Sequence, residues 1–216
     1  MYEKMKETIA SFEETIKSDK LKRLFDNCFY NALDTTIEYL DDGSVYMLTG
    51  DIPAMWLRDS SASVLQYIEF AKEDEDVFNL IKGLIKRQFF YISIDPYANS
   101  FNRDPNGHGH TQDEAERTPY TWERKFEIDS LCYPIWLIYK LYKVTGRKEI
   151  LDSEFVKTCK IIIDVFKKEQ KHHELSDYYH YREGERDGFN IPNHGHGGDI
   201  KYTGMIWSGY RPSDDA

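Results

Sequence analysis

The sequence predicts an all-α fold in which paired helices form an α/α toroid and long loops gather at the site. Three observations lead there. Apolar residues recur at spacings of three and four along most of the chain, the period of helices with one buried face. The helical segments come in pairs. Two long loops, 93–121 between pairs and 171–216 after the last pair, have a length that passive connectors rarely reach and functional loops often do.

Residues 3–18 carry Met5, Ile9, Phe12 and Ile16 at helical spacing, and a second helix, about 21–33, presents Leu21, Leu24, Phe25, Cys28 and Phe29 on one face. From Thr35 to Thr49 the chain turns rich in Thr, Tyr and Val around Asp41-Asp42-Gly43, the signature of a short hairpin or extended loop. A third helix starts near Arg58 or Asp59 and runs to Ala71, burying Val64, Leu65 and Ile68. The fourth covers 75–92 on a stripe of Val77, Leu80, Ile81, Leu84 and Ile85. The fifth spans 127–144, closed by Gly146 as a left-handed cap. The sixth spans 153–170, with Phe155, Ile161, Ile162, Val165 and Phe166 inward. A closed double ring needs about twice as many helices. Residues 1–216 are therefore expected to be the N-terminal part of a single toroidal catalytic domain, truncated shortly after the pair Asp214-Asp215.

A hydrophobic share of 40% against 31% charged residues is that of a globular chain with a core of its own. The 16 Tyr, 12 Phe and 4 Trp either enlarge that core or line a pocket for a flat, amphipathic ligand such as a sugar ring. The net charge of −10 repels phosphate backbones and anionic lipid, which argues against nucleic acid and membrane as partners. Cys28, Cys132 and Cys159 lie in apolar helical runs without zinc spacing, so buried free thiols are expected. The charged N-terminus lacks the apolar stretch of a signal peptide. Together these features predict a cytoplasmic protein.

Three segments carry the candidate chemistry. Thr49-Gly50-Asp51-Ile52-Pro53-Ala54-Met55-Trp56-Leu57-Arg58-Asp59-Ser60-Ser61 sets an aromatic plate, a guanidinium and a carboxylate just before a helix, a set suited to a polyhydroxylated ring. Asp59 is equally placed to serve only as a helix cap. Pro119 to Asp129 leads from loop into helix with Trp122, Glu123, Arg124 and Glu127, and reads either as site or as an acidic helix start. The third, Tyr202 to Asp215, ends in Arg211-Pro212-Ser213-Asp214-Asp215, where competing like charges can keep one carboxyl protonated as a general acid. There, too, a helix start capped by Ser213 is the alternative.

The runs His108-Gly109-His110 and His194-Gly195-His196, the latter followed by Asp199, are either exposed loop histidines or halves of a metal site. His172-His173 falls where a cation favours a helix end and needs no further role. No phosphate-cradling loop, Gly-x-Ser-x-Gly elbow or paired-His zinc helix is present in the sequence.

The run Thr49–Ser61, the run Trp122 to Pro134, the run Tyr202 to Ala216, and the shorter Ile94-Asp95-Pro96-Tyr97-Ala98-Asn99 with Asp104-Pro105-Asn106-Gly107 resemble glycoside hydrolase family 125 in order and content. The resemblance covers the chain from about residue 20 to its end. It implies an (α/α)6 barrel and a metal-independent, cofactor-free, inverting exo-α-1,6-mannosidase acting on mannose-containing oligosaccharides. It also implies Asp214 as general acid, with Asp215 the alternative. Trp56, Arg58 and Asp59 would line the terminal sugar's subsite, joined by Trp122, Arg124, Arg211 and Asp215. The general base is implied further along than Asp215, so the polypeptide alone is expected to be inactive, since inversion needs two carboxyl groups. The His108–Gln112 and Asn190–Gly198 stretches depart from the family pattern. A carbohydrate-binding fragment without catalysis, and a metal-dependent hydrolase built on the His-Gly-His loops, are the competing readings.

Overall fold

A computed structural model describes residues 1–182 and 190–209. Three helices open the chain: α1 (Glu3–Glu13), α2 (Asp19–Phe29) and the short α3 (Asn31–Thr35). A hairpin follows, β1 (Ile37–Tyr39) and β2 (Val45–Met47), paired antiparallel about the expected Asp-Asp-Gly turn. Strand β3 (Met55–Trp56) runs directly into α4 (Leu57–Val64), which tightens into a 3-10 stretch over Leu65–Lys72. The central helix is α5 (Glu75–Ile94). Strands β4 (Ser100–Phe101), β5 (Asp113–Glu114) and β6 (Thr121–Glu123) then lead to α6 (Ile128–Thr145) and α7 (Ser153–Glu169). The short α8 (His172–Leu175) and β7 (Tyr181–Arg182) follow.

Helix α5 is long because both ends are set by the sequence. Asp74 caps its start, its Oδ1 accepting from the amides of Asp76 (3.0 Å) and Val77 (3.3 Å). The other oxygen of that carboxylate accepts from Met5 N (3.0 Å), which pins α1 to the same corner. At the far end Pro96 forces Asp95 into extended backbone, and the helix stops at Ile94. Val77, Leu80, Ile81 and Leu84 are fully buried among β2, α6, α7 and the 3-10 stretch. Each such side chain contributes about 1.5–3 kcal/mol, so this one helix organises the core.

Helix α6 ends at Gly146, whose φ of 69° lets its amide reach Tyr142 O at 2.8 Å. Helix α7 starts on Asp152, whose carboxylate accepts from Phe155 N at 3.0 Å. The second of three small antiparallel sheets, β3–β4–β6, joins the two ends of the long loop to the start of α4.

The helical majority matches the expected class, but the all-α expectation misses seven short strands among the described residues. Two-residue strands are invisible to periodicity. The expected single helix over 58–71 is α4 plus a 3-10 stretch, which turns Tyr67, Ile68 and Ala71 inward. Helix α1 stops at Glu13, leaving Phe12 half exposed. On α2 the apolar stripe is not buried as a unit: Phe29 is inside, whereas Leu21, Leu24 and Cys28 are exposed. The cysteines are free as expected, yet Cys28 and Cys132 are exposed and Cys159 half-buried, because the faces that carry them are uncovered. No helix among the described residues is long and apolar enough to cross a membrane.

Candidate active site

A cavity of about 360 Å³ opens where α4 and α6 begin. Its lip is the loop 49–56. Trp56 N donates to Thr49 Oγ1 (2.9 Å), and that hydroxyl donates on to Ala54 O (3.2 Å), so the turn is closed by its own first residue. Trp56, Arg58 and Asp59 all line the cavity. Asp59 lies in the first turn of α4 but makes no capping hydrogen bond; its carboxylate faces the cavity, 3.5 Å from Arg58 Nε. Arg58 Nη1 also donates to Asp129 Oδ2 (3.2 Å), tying the first turn of α4 to that of α6. Both acidic residues sit where the positive ends of helix dipoles favour them.

The first turn of α4 is held from behind by Gln88, fully buried in the middle of α5. Its Nε2 donates to Ser60 Oγ (2.9 Å) and Ser61 Oγ (2.8 Å) and reaches Leu57 O at 3.3 Å. From the other side Leu57 N donates to Asn99 O (3.0 Å). Arg58 and Asp59 therefore project from backbone fixed on both flanks, which is how a site keeps its geometry.

The cavity floor comes from the end of β6 and the segment after it. Glu123, Lys125 and Glu127 face inward and are buried, with side chains 5%, 2% and 4% exposed. Lys125 Nζ stands 3.5 Å from Glu127 Oε1. Asn99 Nδ2 donates to Glu123 Oε2 (2.9 Å), and Arg182 Nη2 to Glu123 Oε1 (3.0 Å). Arg182 Nε donates to Asp113 Oδ1 (2.5 Å), so one guanidinium joins the loop at 113 to the floor. Burial pushes the Glu127 carboxyl up, with the Lys125 ammonium opposing the shift. Arg58, Lys125 and Arg182 thus stand among Asp51, Asp59, Glu123 and Glu127, a near-balanced set of donors and acceptors. Such a lining suits a neutral, hydroxyl-rich ligand.

Trp122 and Arg124 do not line this cavity, contrary to the sequence expectation. Side chains alternate along extended backbone, and these two occupy the opposite parity to Glu123 and Lys125. Arg124 Nε donates to buried Asp95 Oδ2 (2.9 Å) and its guanidinium lies over the rings of Tyr97 and Tyr178, a scaffold role. Trp122 packs its ring edge-to-face with His110 at 6.0 Å. Arg211, Asp214 and Asp215 lie outside the described residues.

The two His-Gly-His runs are not brought together. His110 lines the cavity, His194 Nε2 pairs with Glu114 Oε2 (2.7 Å), and His196 Nδ1 reaches Tyr178 O (3.2 Å). Among the described residues no cluster of three His, Cys, Asp or Glu forms a metal site. His172 does have a role, contrary to expectation. It is buried, with Nδ1 on Glu169 (2.6 Å) and Nε2 on His196 O (2.7 Å), and it stacks on Trp207 at 3.6 Å.

Arg182 lies in none of the candidate segments, Glu123, Lys125, Glu127 and Asn99 lie in such segments without being assigned to the sugar site, and His110 was read only as a loop histidine or metal ligand. One signal was available: charges at 123, 125 and 127, every second residue in an extended segment, mark one face.

The model of the family described as metal-independent α-mannosidase (GH125) matches residues 18–216. The meiotically up-regulated gene 157 protein of Schizosaccharomyces pombe is 30% identical over 234 residues, covering 98% of this chain and 46% of its own length. A Streptococcus pneumoniae metal-independent α-mannosidase, solved in a non-productive complex with α-1,6-mannobiose, aligns with a TM-score of 0.84 and 46% identity. That alignment covers 90% of this chain and 46% of the other. The chain thus spans about half the length of the proteins it matches.

Proposed function

The chain belongs to the GH125 family of metal-independent α-mannosidases, and from that premise we propose that its cavity receives the terminal mannose in an inverting exo-α-1,6-mannosidase. The observation that carries the reading is that Trp56, Arg58 and Asp59 line one cavity with buried Glu123, Lys125 and Glu127, whose carboxylates are paired with Arg182 and Lys125. These are the groups that bind hydroxyls without favouring a charged sugar. The solved relative with bound α-1,6-mannobiose supports the linkage, and the helical hairpins are consistent with part of an (α/α)6 barrel.

In this reading Trp56 offers its flat face to the apolar side of the ring, while Arg58 and Asp59 fix hydroxyls. Asp214, with Asp215 the alternative, donates a proton to the glycosidic oxygen as the bond to the anomeric carbon breaks. A second carboxylate removes a proton from water attacking the opposite face, which inverts the configuration. Inversion requires the two carboxyl groups to stand about 6.5–9.5 Å apart.

The test is calorimetric titration of the 216-residue chain with methyl α-mannoside, followed by incubation with α-1,6-mannobiose under NMR. Binding followed by release of β-mannose supports the inverting mannosidase and overturns the expectation that the 216 residues alone are inactive. Release of α-mannose overturns inversion. Binding without turnover fits both this reading, in which the 216 residues alone are expected to be inactive, and a carbohydrate-binding polypeptide, and absence of binding overturns the assignment of the cavity.

A further inference from the structure

Glu169, at the end of α7, and His172, at the start of α8, are buried and line no part of the cavity. Glu169 is a hub. Its Oε1 accepts from the hydroxyls of Tyr97 (2.6 Å) and Ser176 (2.6 Å), and its Oε2 faces His172 Nδ1 at 2.6 Å. Burial alone would raise the Glu169 carboxyl, but the hydrogen bonds from His172, Ser176 and Tyr97 outweigh it and hold the group below the usual carboxylate range. Glu169 is therefore ionised and has no proton to give.

The other ring nitrogen meets the loop that follows. His172 Nε2 stands 2.7 Å from His196 O, and a carbonyl oxygen can only accept. Around this contact the loop 196–207 is fastened to the same corner. His173 Nε2 lies 2.8 Å from Gly198 O, Gln170 Nε2 donates to Gly204 O (2.7 Å), and Trp207 N donates to Glu169 O (3.0 Å). The Trp207 ring stacks on the imidazole at 3.6 Å, tilted by 8°. Glycines make its seat: a Cβ at Gly197 would stand 3.0 Å from the indole Cζ2, and one at Gly209 would stand 2.1 Å from its Cη2. A larger residue at 209 would push the indole off the imidazole.

Both nitrogens of His172 thus face groups that only accept, at hydrogen-bond distance. A neutral imidazole has one N–H and one lone pair, so it would turn that lone pair on either the carboxylate or the carbonyl. We propose that His172 is a histidinium latch: its ring carries a proton on each nitrogen and fastens the loop 196–207 to the end of α7, and removing one proton releases the loop. This device goes beyond the mannose-site reading and does not depend on it. The face of the Trp207 indole, negative in its quadrupole, favours a cation on it. From α7 the ring faces Glu169, and through that carboxylate it meets Tyr97 and Ser176. His173 sets its own ring at 5.3 Å, and Tyr178 stands 5.8 Å from Trp207. Arg124 and Lys168 both lie over the ring of Tyr97. The latch holds when protonated, so raising the pH loosens the loop.

The test is nitrogen NMR of the 216-residue chain labelled with 15N-histidine, the His172 ring being identified by its proton contacts to the Trp207 indole. At about pH 7 both its nitrogens are expected to carry protons, and a proton-free nitrogen overturns the proposal. Hydrogen exchange, corrected for the intrinsic rate, then follows the loop as pH is raised from about 6 to about 9. Protection of 196–207 should fall roughly tenfold or more, the worth of a hydrogen bond to a charged group, while α5 keeps its own. Protection independent of pH overturns the latch. Glu169→Gln separates charge from mere packing. Its carboxamide can donate to an unprotonated Nδ1, so a neutral ring keeps both contacts and the loop should stay protected without pH dependence. A wild-type pH profile in Glu169→Gln overturns the proposal. His172→Gln, which cannot carry a charge, should lose about tenfold in loop protection at the lower pH. If that variant melts early, the wild-type spectrum and Glu169→Gln decide alone.

Discussion

The hollow beside α5 and the start of α7 holds about 660 Å³, against about 360 Å³ for the cavity where α4 and α6 begin. The larger one is lined by Phe89, Ile138 and Ile150 together with Lys82, Lys86, Glu154 and Lys157, whose charged ends are out in water. The smaller one keeps Glu123, Lys125 and Glu127 almost wholly out of solvent. A solvated charge costs the fold nothing, whereas a buried one costs several kcal/mol unless it is paired. Volume and desolvated charge therefore point to different hollows, and the desolvated charge shares its hollow with Trp56, Arg58 and Asp59.

That contrast is broken most directly at Lys125. Replacing it by Met leaves Glu127 buried beside an apolar chain, and we expect a loss of about 3–5 kcal/mol in unfolding free energy by urea titration. A loss under 1 kcal/mol would show that the floor charges are not energetically coupled. Next is Arg58→Ala, which removes the charge-assisted contact to Asp129 and, in the proposed mannose site, those to the ligand. It is expected to weaken methyl α-mannoside binding roughly ten- to hundredfold, as read by calorimetry.

A smaller effect follows from Glu127. Its carboxyl is raised in the folded protein by burial. A group that binds its proton more tightly when folded contributes stability that is complete below the unfolded carboxylate range. That contribution fades as pH rises through the folded value. Wild type should therefore lose stability relative to Glu127→Gln as pH is raised from about 4.5 towards neutrality, measured by urea midpoints; the opposite slope would contradict the assigned shift. The smallest effect belongs to the larger hollow. Lys157→Ala removes an exposed pair with Glu154 and should change stability by no more than about 0.5 kcal/mol and mannoside affinity not at all.

Much of this architecture was legible beforehand, and the reasons differ by element. Helices α5, α6 and α7 announce themselves through uninterrupted 3.6 periodicity and through Asp152, Gly146 and Pro96 at their ends. The Asp-Asp-Gly turn fixed the hairpin in the same way. The motif Trp56-Leu57-Arg58-Asp59 was visible as chemistry, and the structure places its three polar or aromatic members on one cavity. Parity was what failed at β6. A three-residue strand offers too few positions to tell which face is inward, so the sequence did not show that Glu123 and Lys125, and not Trp122 and Arg124, line this cavity. His172 was misread for a different reason. Its partners, Glu169 apart, are His196 O and the ring of Trp207, which no local pattern could supply.

Arg182 carries a consequence in time as well as space. Glu123 precedes it by 59 residues and Asp113 by 69, yet both carboxylates depend on its guanidinium. At a synthesis rate of roughly 5–20 residues per second, Glu123 leaves the ribosome roughly 3–12 s before the residue that neutralises it. The helices that shape the cavity can dock in that interval, but its floor stays open to water. The cavity is thus among the last parts of the described chain to mature, and a nascent polypeptide arrested before residue 182 would hold its walls without its lock.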